Sequence, residues 1–94
     1  MAMSTNINEL FAQATLDAQQ LVRILDDDTL LILYGFYKQA IVGDINTEKP
    51  SFFNFKDTKK WNSWALLKGM SKLHAQGMYI KNIKDIQSRC KSNI

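Results

Sequence analysis

The chain has 94 residues and 10.8 kDa, with 12 Lys+Arg against 9 Asp+Glu and a formal charge of +3. That length suits one domain, and 46% hydrophobic with 22% charged residues is a globular rather than a disordered composition. A single cysteine, Cys90, excludes an internal disulfide framework and a cysteine-based structural zinc site, and a single histidine, His74, excludes a multi-histidine metal site.

The opening Met-Ala-Met-Ser-Thr-Asn has neither the basic nor the apolar region of a secretory signal. No apolar stretch approaches the roughly 18–20 residues that span a bilayer. A soluble cytoplasmic domain is expected. Ile7, Leu10, Phe11, Ala14, Ala18, Leu21, Val22 and Leu25 recur at steps of three and four, which predicts an amphipathic helix over 7–22. Asn6 and Glu9 resemble a capping box at its start.

Asp26, Asp27 and Asp28 mark the start of a second helix over 27–42, because acidic groups satisfy free N–H groups and meet the positive end of the helix dipole. Its run from Leu30 to Tyr37 is too apolar for a helix with one buried face. Gly35 lowers helix propensity by ~1 kcal/mol, which suggests close approach by a neighbour. Residues 43–56 hold the sole proline, Pro50, and read as a long ordered loop pinned by Ile45, Phe52, Phe53 and Phe55. A third helix is predicted over 57–68, with Gly69 as its stop and Trp61 and Trp64 on one face. Ser71 caps a fourth over 71–90, which Gly77 should weaken. The expected class is all-α, a four-helix domain.

The net charge conceals an asymmetry. Residues 1–48 carry two basic and seven acidic groups, whereas residues 49–94 carry ten basic and two acidic, a net of +8. Such a half suits a polyanion: nucleic acid, an anionic membrane or a phosphorylated small molecule. The competing explanation is a solvated lysine-rich face.

The pattern holds little catalytic chemistry. The aspartate run reads as a helix start, His74 has no relay partner, and Cys90 between Arg89 and Lys91 reads as an incidental thiol. The four glycines are dispersed, so no phosphate-binding loop exists. The binding search finds more. Tyr34, Tyr37 and Lys38 lie at i, i+3 and i+4 and so project from one side of the second helix. Lys56 and Lys60 share a face if the third helix reaches back that far, and Tyr79 adds a ring from the fourth. Aromatics among lysines suggest a nucleotide, with rings on the base and ammonium groups on the phosphates. The alternative is that Tyr34, Tyr37 and Tyr79 are core rings with hydroxyls at the rim. Leu30, Leu31 and Leu33 add surplus apolar surface near the tyrosines, as a ligand with an apolar tail requires.

At these residues the chain resembles the acyl-CoA-binding protein family. The matching stretches are Leu-Tyr-Gly-Phe-Tyr-Lys-Gln-Ala (33–40), Val-Gly-Asp-Ile-Asn-Thr-Glu-Lys-Pro (42–50), Lys-Lys-Trp-Asn-Ser-Trp (59–64), Leu-Lys-Gly-Met-Ser-Lys (67–72) and Tyr-Ile (79–80). The resemblance covers about residues 11–86. It implies a single acyl-CoA-binding domain over 1–94, folded as a four-helix bundle in up-down-down-up order with a long crossover between helices 2 and 3. It further implies that Tyr34 and Tyr37 flank the adenine and ribose, that Lys38 and Lys60 hold the 3′-phosphate with help from the Tyr34 hydroxyl, and that Lys56 follows the diphosphate. Tyr79 would close the head-group site, and Leu30 and Leu31 would border the acyl chain. Trp61 and Trp64 look mainly structural.

The implied activity is a non-enzymatic, monomeric carrier of medium- to long-chain acyl-CoA, with no catalytic residue, metal or cofactor. Transient contact with acyl-CoA-using enzymes or membranes, but not nucleic acid, is expected. The alternative is a small protein- or nucleic-acid-interaction module using the basic half. Departures from the family pattern include Leu25 in place of a proline, Ser51 in place of a glycine, Thr58-Lys59 in place of Lys-Ala, and His74 in place of an acid. Gln19 stands where a lysine is frequent and is not counted as a site residue.

Overall fold

Asn6 holds extended backbone before α1 (Ile7–Leu21), and its Oδ1 accepts from the Glu9 N–H at 2.9 Å. The computed structural model describes residues 6–51 and 53–92, without the side chains of 91 and 92. Phe11 and Ala14 are the buried residues of α1, with Ile7, Leu10, Ala18 and Leu21 packed beside them. The expected end at 22 falls one residue late, because the chain tightens there into a 3₁₀ turn (Val22–Ile24) and then extends at Leu25.

Asp26 is the second cap. Its carboxylate accepts from the Thr29 N–H at 2.8 Å and opens α2 (Asp27–Ile41). The Thr29 hydroxyl first and its backbone N–H second stabilise the ionised form and hold the Asp26 pKa below the ordinary carboxylate value. Gly43, with φ +94°, ends the helix in a conformation that residues with a Cβ rarely adopt.

The third helix begins earlier than the sequence pattern suggests. Asn54 caps it: its Oδ1 accepts from the Asp57 N–H at 3.4 Å and its Nδ2 donates to the Asp57 carboxylate at 2.7 Å. Hence α3 spans Phe55–Ala65 rather than 57–68. Its far end tightens into i→i+3 bonds, Leu67 N–H to Trp64 O and Lys68 N–H to Ala65 O, before Gly69 turns the chain at φ +97°. Ser71 Oγ accepts from the His74 N–H at 3.0 Å and starts α4 (Lys72–Ser92), which runs unbroken through Gly77.

All regular structure among the described residues is helical, four α-helices and one 3₁₀ turn. α4 packs against α1 and α2, and α2 also packs against α3. The core joins Phe11 and Ala14 to Leu33, Ala40, Ala75, Tyr79, Ile80, Ile83 and Ile86. Each large apolar side chain among them contributes roughly 1.5–3 kcal/mol by leaving water. Gly35 is buried where α2 meets α3; a Cβ there would lie 2.6 Å from the Ser63 carbonyl oxygen. This is the close approach that its place in the helix suggests.

Polar bonds hold the crossover between α2 and α3. Phe53 and Phe55 are 78% and 73% exposed, and Phe52 lies outside the described residues. The fully buried Gln39 amide donates to Asp44 Oδ1 at 2.9 Å and to the Met70 carbonyl at 2.7 Å. The Gly69 N–H donates to the same Asp44 oxygen at 2.8 Å. Two acceptors require the NH₂ group of Gln39 to face them, which leaves its buried Oε1 without a partner among the described residues. Trp64 Nε1 donates to the Gly43 carbonyl at 2.7 Å and Trp61 Nε1 to the Thr47 carbonyl at 3.0 Å. The tryptophans thereby clamp the loop onto α3.

Candidate functional site

Two hollows flank Leu30. The first, of about 400 Å³, lies where α1, α2 and α4 meet and is lined by Thr15, Ala18, Gln19, Val22, Leu30, Leu33, Tyr34, Tyr37 and Tyr79. The second, of about 340 Å³, lies between α2 and α3 and is lined by Asp27, Leu30, Leu31, Phe55, Lys56, Lys59 and Lys60. Helix geometry explains both linings. Residues 15, 18, 19 and 22 follow i, i+3, i+4, i+7, as do 30, 33, 34 and 37, so each set forms one stripe. The early start of α3 puts Lys56 and Lys60 one turn apart on a shared face.

The first hollow is aromatic. Phe11, Tyr37 and Tyr79 form a triangle of rings with centroids 5.2–6.0 Å apart, Phe11 stacked on Tyr37 and edge-on to Tyr79. Tyr79 is a core ring, as the competing explanation holds, yet it also lines the hollow. Burial, with a smaller contribution from Tyr37, raises its pKa above the ordinary tyrosine value. Tyr37 is 39% exposed, so one face of the triangle is open to a planar group.

The second hollow is cationic. Lys56, Lys59 and Lys60 meet one acid, Asp27. Among the described residues the only ion pair is Lys81–Asp85, so these three ammonium groups have no carboxylate partner. Lys60 Nζ lies 5.4 Å from the Tyr34 ring centroid and links the cationic hollow to the aromatic one.

The structure divides the predicted set. Tyr34, Tyr37 and Tyr79 line the first hollow, Leu31, Lys56 and Lys60 the second, and Leu30 both. Lys38 lines neither. Its Nζ sits 4.9 Å from the Trp64 ring centroid, so it does not point with Tyr34 and Tyr37 as their spacing suggests. As site residues, the sequence pattern does not single out Thr15, Ala18, Val22, Phe55 or Lys59, and it sets Gln19 aside. Their signal is the polar edge, Thr15 and Gln19, of the apolar stripe that holds Ala18 and Val22, and a cation one residue before Lys60. No group of three His, Cys, Asp or Glu able to hold a metal exists among the described residues, and no helix is long and apolar enough to cross a membrane.

Stacking rings, unpaired ammonium groups and a leucine wall between them define a small-molecule binding protein. Its ligand would be planar in one part, anionic in another and apolar in a third. A family model described as "Acyl CoA binding protein" matches residues 8–83, and the chain belongs to that family. Acyl-CoA-binding protein of Gossypium hirsutum is 47% identical over 60 residues, 64% of this chain and 67% of that protein. Acyl-CoA-binding protein 2 of Saccharomyces pastorianus is 40% identical over 86 residues, 92% of this chain and 99% of that protein. The crystal structure of Oryza sativa Acyl-CoA-Binding Protein 2 matches with a TM-score of 0.91 at 34% identity, covering 95% of this chain and 99% of that one.

Proposed function

We propose that this protein binds medium- to long-chain acyl-CoA thioesters and acts as a carrier and pool former for lipid metabolism, as a cytoplasmic monomer without a catalytic step or cofactor. The observation that carries the proposal is the meeting of aromatic, cationic and apolar surfaces at Leu30 in a chain of this family. In this arrangement Tyr34, Tyr37 and Tyr79 hold the adenine and ribose. Lys60 and the Tyr34 hydroxyl hold the 3′-phosphate, and Lys38 joins them by leaving Trp64. Lys56 follows the diphosphate. Leu30 and Leu31 receive the acyl chain, and the handover to acyl-CoA-using enzymes is transient.

Charge-assisted bonds to the 3′-phosphate separate CoA from ordinary adenine nucleotides. Each methylene removed from water adds about 0.8 kcal/mol. Affinity therefore rises with chain length until the apolar wall is covered. A free fatty acid lacks the anchored head and binds poorly.

Calorimetric titration with palmitoyl-CoA, free CoA and palmitate tests this. Sub-micromolar binding of palmitoyl-CoA, weaker binding of CoA and weakest binding of palmitate are expected. Equal affinity for palmitoyl-CoA and CoA would remove the acyl-chain site from the proposal.

A further inference from the structure

The proposed head-group contacts leave one cation of the second hollow without a role. Lys56, Lys59 and Lys60 line that hollow together with Leu30, Leu31 and Phe55, and Asp27 is its one acid. Lys60 sits over the Tyr34 ring, whereas Lys56 and Lys59 have neither a ring contact nor an ion pair among the described residues. Lys60 is placed on the 3′-phosphate and Lys56 on the diphosphate. Spacings of four put these two in one column of α3, and Phe55 and Lys59 in the next. The first column reaches Tyr34. The second joins Leu30 and Leu31 as the wall proposed to receive the acyl chain.

A wall for a plain aliphatic chain gains nothing from an ammonium group at its rim. The methylene stem of a lysine adds apolar surface while its charge stays hydrated. The Phe55 ring, 73% exposed, offers further surface for a chain to cover. An acyl chain laid along Leu30, Leu31 and Phe55 therefore passes a positive charge that the phosphates do not use. A methyl end gains nothing from that charge, and a carboxylate does. We infer that Lys59 recognises a carboxylate carried by the acyl chain, so that the ligands of this site include mono-CoA thioesters of dicarboxylic acids. The inference rests on the acyl-CoA reading and narrows its substrate class. Asp27, on the α2 wall of the hollow, repels a carboxylate brought to its side. The preference therefore belongs to those chain lengths that bring the carboxylate to Lys59.

Calorimetric titration of matched ligands tests this. Adipoyl-, suberoyl-, dodecanedioyl- and hexadecanedioyl-CoA are compared with hexanoyl-, octanoyl-, lauroyl- and palmitoyl-CoA, respectively. The readout is the affinity of the carboxylated chain divided by that of the plain one, in which the common head group cancels. Lys59→Met keeps an unbranched stem and removes the charge. In at least one pair it should lower the ratio about fivefold, the upper end for an exposed charge pair. High salt should shrink that difference. Lys84→Met, on α4 and in the lining of neither hollow, should leave every ratio as in the parent. Equal ratios in the parent and Lys59→Met for every pair overturn the role of Lys59, as does an equal fall in Lys84→Met. In both cases palmitoyl-CoA still binds more tightly than free CoA, and the acyl-CoA reading stands. If palmitoyl-CoA and hexadecanedioyl-CoA both bind no better than free CoA, the acyl-CoA reading falls and this inference with it.

Discussion

The two hollows beside Leu30 share one wall and little else. The one among α1, α2 and α4 is built of neutral groups: three tyrosines, Thr15 and Gln19, with Phe11 beneath. The one between α2 and α3 is built of Lys56, Lys59 and Lys60 around Leu30, Leu31 and Phe55. The difference follows from what backs each. Core rings must be neutral, so the first hollow has stacking surface and no charge. The second is backed by a thin, exposed helix, where ammonium groups stay hydrated until a ligand replaces the water. Stacking surface and ammonium groups thus lie on opposite sides of α2. Lys60 over Tyr34 bridges them.

Forcing α3 away from α2 is the strongest way to break this arrangement. Gly35→Val places a branched side chain against the Ser63 backbone, where the first carbon alone would lie 2.6 Å from the carbonyl oxygen. Neither backbone can yield without moving a helix. Urea denaturation should show a loss of about 3 kcal/mol, at the upper end for overpacking. The folded remainder should bind acyl-CoA weakly, because the second hollow is splayed while the first, formed with α1 and α4, persists. Unchanged stability would mean that the α2–α3 contact is looser than Gly35 indicates.

Cation removal gives the next effect. Lys60→Ala and Lys38→Ala should each weaken palmitoyl-CoA by about 1–3 kcal/mol, the range for a hydrogen bond to a charged group. Calorimetry checks the size, and tryptophan fluorescence separates the two. Lys38 Nζ stacks over Trp64 in the free protein, so its departure to a phosphate changes the emission of Trp64. That change should vanish in Lys38→Ala and survive in Lys60→Ala. Full affinity in Lys38→Ala would leave the residue as a partner of Trp64 alone and place the phosphate wholly on the α3 side.

Local rules made the frame legible. Asn6, Asp26 and Ser71 announce their helices because a cap needs only a neighbour three residues away. The tyrosine stripe and Leu30 were visible for the same reason. What escaped depends on elements distant in sequence. Phe53 and Phe55 look like loop anchors, yet both are exposed, and the loop is held by Gln39 reaching 31 residues along the chain to Met70. Lys38 has the spacing of a partner for Tyr34, but a long side chain turns toward the nearest ring, and Trp64 supplies one across the helix interface. Thr15 stays hidden because a polar residue on an amphipathic helix looks solvated until a second helix leaves a hollow beside it, whereas Gln19 is set aside because a lysine is frequent at its position.

The smallest effect tests what fixes the frame of the second hollow from outside it. Asp44 accepts from Gly69 at the end of the α3 turn and from Gln39 at the end of α2, and so ties the two helices at one corner. The Gly69 N–H first and the Gln39 amide second hold the Asp44 pKa below the ordinary carboxylate value of 3.8. A depressed pKa means that the folded state binds the proton less readily than the unfolded one. The contribution of Asp44 is therefore full above the unfolded value and lost as pH falls through the folded one. Asp44→Asn keeps an acceptor oxygen but not the charge. Urea midpoints should show the variant slightly less stable at neutral pH, with the gap closing in acid below the depressed pKa. A gap that persists unchanged in acid would assign the tie to the shape of the side chain, and the corner between α2 and α3 would owe nothing to the carboxylate's charge.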